Sequence, residues 1–190
     1  MRVIGGNARG RRFKAPKGRA LRPTSARVKE ALFNILPHDL TGMKVLDLFA
    51  GTGNLTIEAL SRGAAGAILV DSSSGSAKAI RENLSKLDLA DRAEVWVTAV
   101  FRALRRLARG GETFDIIFLD PPYGRRLLEP SLKIIAEGAL LRPSGVVIAE
   151  HSARERVEEK YGVLALKDQR RYGGTLLSFY RPLEEATQTT

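Results

Sequence analysis

Hydrophobic positions along the 190-residue chain follow two periods, and the switching between them sketches an architecture. From position 44 onward, short apolar runs alternate with stretches whose apolar residues recur every three or four positions. The runs at 45–49, 67–70, 93–97, 116–119 and 145–150 read as strands. Helices are predicted between them over about 55–61, from the serine-rich loop 72–76 to 87, over 101–109 and over 127–138. Such alternation specifies an α/β fold with a mostly parallel sheet and helices on both faces. Near the end, a short helix is expected at 154–160, then strands at 162–167 and 175–180 that pair as an antiparallel hairpin through a turn at 170–174. That makes seven strands. Residues 184–190 read as a frayed tail.

The first forty residues look different. Residues 1–4 and 11–14 suit two short strands joined through Gly5-Gly6-Asn7, a small basic hairpin with Phe13 free to stack or pack. Pro16, Gly18 and Pro23 keep the next stretch irregular. Thr24 or Ser25 then caps a helix over 26–36, with Val28, Ala31, Leu32 and Ile35 on its inner face and Arg27, Lys29 and Glu30 on the other. Pro37 stops it. The expected organisation is therefore a basic extension at 1–40, docked by one helix, on a domain spanning 41–183.

Charge sharpens this division. The net charge is +10, and residues 1–40 hold ten basic side chains against two acidic ones, so the remaining 150 residues contribute only +2. Concentrated positive charge is what phosphate neutralisation requires. The stretch is broken by glycine and proline and is no amphipathic membrane helix. Nucleic acid is the favoured partner, with Arg9, Arg11, Arg12, Arg22, Thr24 and Arg27 the candidate contacts. Arg102, Arg105, Arg106 and Arg109 read as the solvated face of an amphipathic helix. Arg170, Arg171 and Tyr172 either touch RNA or merely turn the chain.

Other chemistry is narrowed by composition. No apolar run approaches the roughly 18–20 residues of a membrane span, and no signal-peptide core opens the chain. There are no cysteines, and His38 and His151 have no ligand-like spacing, so no metal is assigned.

Two motifs carry chemistry. The run Ile116-Ile117-Phe118-Leu119 is apolar at every position, as a strand buried on both faces must be, and Asp120-Pro121-Pro122-Tyr123 follows it. Proline lacks the N–H a central strand donates, so the strand ends there and Asp120 falls at its carboxyl end, where open α/β sheets place ligands. The bland alternative is a proline turn with an exposed tyrosine. The second motif, Asp47-Leu48-Phe49-Ala50-Gly51-Thr52-Gly53, joins the first strand to the first helix. The dinucleotide fingerprint would need glycine at 56, where Thr56 stands, and no Gly-Lys-Ser/Thr follows for a P-loop. Asp71 ends the second strand, at the spacing of an acid that binds a ribose diol. A glycine loop and a ribose acid without the third glycine suit a nucleoside cofactor lacking phosphates, namely S-adenosylmethionine. Asp47 is then placed for its ammonium group. Phe49, Ala50, Gly51, Gly53, Asp71, Ser72, Thr98 and Ala99 complete the expected cofactor set, with Asp120 bordering it.

With these residues in order the chain resembles the RsmD family of bacterial 16S ribosomal RNA guanine-N2 methyltransferases. The resemblance runs through Ile4-Gly5-Gly6, Arg9-Gly10-Arg11, Leu21-Arg22-Pro23-Thr24, the helix 27–36, the glycine motif, Glu58-Ala59-Leu60-Ser61-Arg62-Gly63-Ala64 and Asp120-Pro121-Pro122-Tyr123. It departs at Lys29, where arginine is expected, and at Trp96-Val97-Thr98-Ala99, which lacks an acid for the adenine amino group. The resemblance implies a Rossmann-like class I methyltransferase domain, and methyl transfer from S-adenosylmethionine, without metal, to a guanine N2 amine. Asp120, Pro121, Pro122 and Tyr123 would be catalytic. It also implies a cytoplasmic monomer acting on ribosomal RNA, in the small subunit or its assembly intermediate. The rivals are an adenine-N6 methyltransferase of DNA or RNA and a non-enzymatic RNA-binding assembly factor.

Overall fold

The computed structural model describes residues 1–14 and 26–183. In chain order these form α1 (Ala26–Ile35), β1 (Lys44–Leu48), α2 (Asn54–Ser61), β2 (Gly66–Asp71), α3 (Ser74–Lys86), one 3-10 turn (Ala90–Arg92), β3 (Ala93–Val97), α4 (Val100–Arg109), β4 (Phe114–Leu119), α5 (Leu128–Glu137), β5 (Leu141–Ser152), β6 (Lys160–Tyr161), β7 (Leu164–Tyr172) and β8 (Thr175–Pro182). One sheet runs β3-β2-β1-β4-β5-β8-β7-β6. Strands β3 to β5 in that order are parallel, and the last three join antiparallel.

The apolar runs form strands because both of their faces are covered. In β4, Ile116 and Phe118 enter one core with α1, α2 and α3, while Ile117 and Leu119 enter the other with α4 and α5. Ser73 caps α3 by accepting from the Ser76 backbone N–H at 3.2 Å. The chain winds outward from β1 to β3 and then returns to β4 on the other side of β1. The carboxyl ends of β1 and β4 therefore flank the point where strand order reverses, and a crevice opens there.

The structure departs from expectation in three places. The sheet has eight strands, not seven, because the stretch expected as a helix at 154–160 ends in β6. Arg154, Glu155, Arg156, Glu158, Glu159 and Lys160 favour helix by composition, but only Val157 is available for burial, so no apolar stripe can dock. Instead Tyr161 inserts, 4% exposed, edge-on to Tyr180 with ring centroids 5.7 Å apart. The second correction concerns α1. Its buried residues are Val28, Lys29, Leu32 and Phe33, and Ile35 is 42% exposed. The helix is rotated so that a lysine faces the core.

Lys29 is inward because the amino-terminal segment is built into the domain and is not hung on one helix. The expected hairpin shortens to a single bridge, Arg2 with Arg12, and Val3, Ala8 and Phe13 join the core of α1 and α2. Glu58 of α2, 0% exposed, accepts the backbone N–H groups of Ile4 (2.9 Å) and Gly5 (2.7 Å) and pairs with Arg62 (3.1 Å) and Lys29 (3.4 Å). Lys29 also donates to Arg2 O and Asn54 Oδ1. Gly6 sits at φ 70°, and a Cβ there would lie 1.8 Å from Ser61 O, so only glycine lets the hairpin approach α2 this closely.

Candidate active site at the strand ends

The loop after β1 turns through the left-handed region at every second residue: Phe49 (φ 63°), Gly51 (53°) and Gly53 (70°). Glycine adopts this freely, but Phe49 does so at a cost of order 1–2 kcal/mol, the kind of strain that gathers in ligand-binding loops. The shape is held by Ala50 N–H to Val70 O (3.0 Å) and Gly51 N–H to Asp71 Oδ2 (2.9 Å). Asp71 Oδ1 accepts from Ser73 N–H at 2.7 Å, so this carboxylate ties the glycine loop to the start of α3. Gly53 is the N-cap of α2 and makes no side-chain cap bond.

Asp47, 3% exposed, lies beneath this loop. Burial raises its pKa to about 7, against the opposing effect of Thr56, whose hydroxyl donates to Asp47 Oδ2 at 2.6 Å; nearby Asp71 raises it further. Thr56 thus has a physical role where a dinucleotide fingerprint would carry glycine. At the third strand end, Thr98 N–H donates to Asp71 O at 3.1 Å, which sets Thr98 and the exposed Ala99 beside Asp71 and Ser72.

Across the switch point, Asp120 N–H donates to Leu48 O at 3.4 Å, so the Asp-Pro-Pro-Tyr segment starts directly alongside the Phe49 loop. Pro121 is buried, while Pro122 and Tyr123 are exposed, Tyr123 to 42%. The Tyr123 hydroxyl lies 3.2 Å from Thr175 Oγ1, the first residue of β8. Nothing in the local sequence links positions 123 and 175. Only the antiparallel return of β8 beside β5 brings them together.

The structure thus gathers Asp47, Phe49, Ala50, Gly51, Gly53, Asp71, Ser72, Thr98, Ala99 and Asp120 to Tyr123 along one edge of the sheet. The expected RNA contacts divide. Arg22 and Thr24 lie outside the described residues. Arg27 lies in the first turn of α1, which runs from Lys29 beside Asn54, at the start of α2, down to Phe33 O beside Arg62, at its end. Arg27 is therefore at the strand-end side that carries Asp47 and Asp120. Arg9, Arg11 and Arg12 are exposed, but the hairpin loop containing Arg9 and Arg11 packs on the opposite ends of the helices. Arg11 donates to Leu87 O (3.1 Å) and Lys86 O and pairs with Asp88 (3.0 Å), closing the end of α3. Among the described residues, no group of three or more His, Asp or Glu could hold a metal ion, and no helix is long and apolar enough to cross a membrane.

Comparison with known proteins settles the family. A family model described as conserved hypothetical protein 95 matches residues 1–181. The chain belongs to that family, the RsmD family. The Bacillus subtilis (strain 168) protein YlbH, named provisionally as an rRNA methyltransferase, is 39% identical over 181 residues, covering 95% of this chain and 98% of the relative. An Escherichia coli (strain K12) protein named ribosomal RNA small subunit methyltransferase D is 38% identical over 150 residues, covering 79% of this chain and 74% of its own length. A solved Escherichia coli structure, named provisionally as the methyltransferase yhhF, superposes with a TM-score of 0.82 at 33% identity, over 97% of this chain and 99% of that one. The family match spans residues 1–181 and so takes in the amino-terminal hairpin together with the sheet.

Proposed function

We propose that this RsmD-family chain transfers a methyl group from S-adenosylmethionine to the exocyclic N2 amine of a guanine in small-subunit (16S) ribosomal RNA. The observation that carries the reading is the juxtaposition at the switch point: Asp120-Pro121-Pro122-Tyr123 begins one hydrogen bond away from the strained loop 49–53, with a buried acid under that loop and a ribose-type acid at its side. The names of the relatives in Bacillus subtilis and Escherichia coli support RNA as the substrate class.

The residues present fit the methyl donor. Asp47 would face its ammonium group, the uncapped first amides of α2 its carboxylate, Asp71 its ribose diol, and Ser72, Thr98 and Ala99 the region of its adenine. When bound, the donor supplies a methyl group already activated as a sulfonium. The chain's own task is on the acceptor. A guanine N2 lone pair is delocalised into the ring, and Asp120 with the Pro121 carbonyl can accept its two N–H hydrogens and favour the pyramidal form whose lone pair points at the methyl group. Tyr123 offers a ring for the base to stack on, and such a base must be unpaired or flipped out.

This reading predicts a methyl-transfer assay with tritiated donor in which small ribosomal subunits or their assembly intermediates are labelled. Naked RNA should be labelled less, and duplex DNA not at all. Label in duplex DNA would favour the adenine-N6 rival, and no donor binding at all would favour the assembly factor.

Two further results are expected. The donor-free protein keeps a proton on Asp47 up to about pH 7, and binding an ammonium group requires that proton to leave. Donor affinity by calorimetry should therefore fall as pH drops from 7.5 to 5.5, approaching roughly tenfold per unit below 7. Asp47→Asn should bind weakly with no such slope, and an unchanged slope in that variant would remove Asp47 from the site. Thr175→Val deletes the hydroxyl beside Tyr123 at little cost in volume. Single-turnover methyl transfer should slow about fivefold, the value of one ordinary hydrogen bond, with donor affinity unchanged and Thr175→Ser near wild type. Equal rates for the valine and serine variants would remove Thr175 from the positioning of Tyr123.

A further inference from the structure

Counting charges along the chain puts the basic excess in residues 1–40, yet Arg9 and Arg11 lie at the edge of the sheet away from Asp120, and Arg11 is engaged in closing α3. Besides Arg27, the catalytic edge receives basic side chains from later in the chain. Three segments that are distant in sequence meet there: the loop after β4, the loop after β5 and the turn between β7 and β8. Tyr123 OH contacts Thr175 Oγ1 at 3.2 Å, and Ala153 N–H donates to Gly174 O at 2.9 Å, so the β7–β8 turn is tied to both loops. Each segment brings exposed arginine: Arg125 and Arg126 from the first, Arg154 from the second and Arg171 from the third.

We propose that Arg125, Arg126, Arg154 and Arg171 form a phosphate-binding rim that grips the RNA strand on both sides of the target nucleotide. The inference rests on the reading of this chain as an RNA methyltransferase and says where the strand lies. Among the described residues, none of the four is in an ion pair, whereas Arg11, Arg62, Arg142 and Arg170 each hold a carboxylate within 4 Å. Like charges on adjoining loops, none of them paired within 4 Å among the described residues, repel one another, and a polyanion relieves that repulsion. Glu155 is the carboxylate nearest in sequence to Arg154 and is half-buried, so it offsets the rim only in part. The backbone also shapes the rim: Gly124 (φ 75°) and the non-glycine Arg126 (φ 51°) both take left-handed conformations within three residues of Tyr123. Arg171 Nε donates to Gly173 O at 3.0 Å, which holds its guanidinium beside the turn. Guanidinium groups suit this role because their planar donors match phosphate oxygens in pairs.

The arginine face of α4 is the instructive comparison. It carries as many charges, but Arg106 stacks 4.4 Å from the Trp96 ring and Arg109 Nε donates back to Arg105 O, and the helix descends away from the site. The test compares two variants, Arg125→Ala/Arg126→Ala/Arg154→Ala/Arg171→Ala and Arg102→Ala/Arg105→Ala/Arg109→Ala, in RNA binding over a salt series and in steady-state methyl transfer to RNA. Donor binding and thermal unfolding serve as the folding controls. For single-stranded contacts, losing four phosphates should flatten the slope of log affinity against log salt by about 3. The rim variant should show that flattening, with a KM for RNA raised at least tenfold and kcat within twofold of wild type. The α4 variant should keep the wild-type slope. A wild-type slope in the rim variant, or a loss confined to the α4 variant, overturns the rim while leaving RNA methylation by the wild type intact. Failure of the wild type to methylate RNA overturns both readings.

Discussion

An Asp120→Ala variant is expected to bind the methyl donor within a few-fold of wild type and to transfer methyl groups on the order of a thousand times more slowly. The separation follows from where Asp120 sits. Its backbone is anchored to Leu48 O at the end of β1, so the main chain of the segment should survive truncation of the side chain. The residues proposed to face the donor's ammonium and ribose, Asp47 and Asp71, are held by Thr56, Gly51 and Ser73 and do not depend on it. What is lost is an anionic acceptor for one N–H of the target amine. Without it the lone pair stays in the ring, and the Pro121 carbonyl alone cannot redirect it. Asp120→Asn keeps an oxygen in place without the charge and should fall between the two. Full transfer by the alanine variant would refute the catalytic assignment, and lost donor binding would move Asp120 to the donor site.

The second large effect is structural. Glu58→Gln should lower unfolding stability in urea by about 3–5 kcal/mol, because it leaves Lys29 in the interior without its counter-charge. Lys29 is 3% exposed, and burial already lowers its pKa, with Glu58 opposing that shift. Glutamine also turns an N–H₂ group toward a place where Ile4, Gly5, Arg62 and Lys29 all donate. Typical domain stabilities are about 5–15 kcal/mol, so a loss of this size should shift the urea midpoint of the whole domain visibly. Adding Lys29→Met to the Glu58→Gln variant removes the stranded charge and should recover part of the loss. A change below about 1 kcal/mol in the single variant would show that the buried ion pair is not what holds the hairpin.

Much of this architecture is legible in the sequence. The central strands β1 and β4 declare themselves because a strand covered on both faces must be apolar at nearly every position, as Ile116 to Leu119 are. The prolines after Asp120 and the glycines at 51 and 53 mark chain reversals that few other residues permit. What escaped the reading is what depends on distant partners. Lys29 looks like a surface charge until Glu58 arrives from α2. Phe49 carries no mark of its left-handed backbone, since a bulky residue there is chosen against local preference. Residues 154–160 have a helical composition, and only the lack of an apolar stripe to dock explains their irregular path. The link from Tyr123 to Thr175 spans 52 positions and exists only because β8 returns beside β5. The charge count along the chain does not say which arginines stand near Asp120, since Arg11 closes the end of α3 while Arg171 is brought in by the β7–β8 turn.

Whether Asp120-Pro121-Pro122-Tyr123 methylates a guanine amine in ribosomal RNA is decided by mass spectrometry of the modified nucleotide. Small-subunit particles lacking the modification would be incubated with the protein and isotopically labelled S-adenosylmethionine, then digested to nucleosides. Label is expected in N2-methylguanosine at a single position, with almost none over the same time when the Asp120→Ala variant is used. Label in N6-methyladenosine, or equal labelling by the alanine variant, would contradict this assignment.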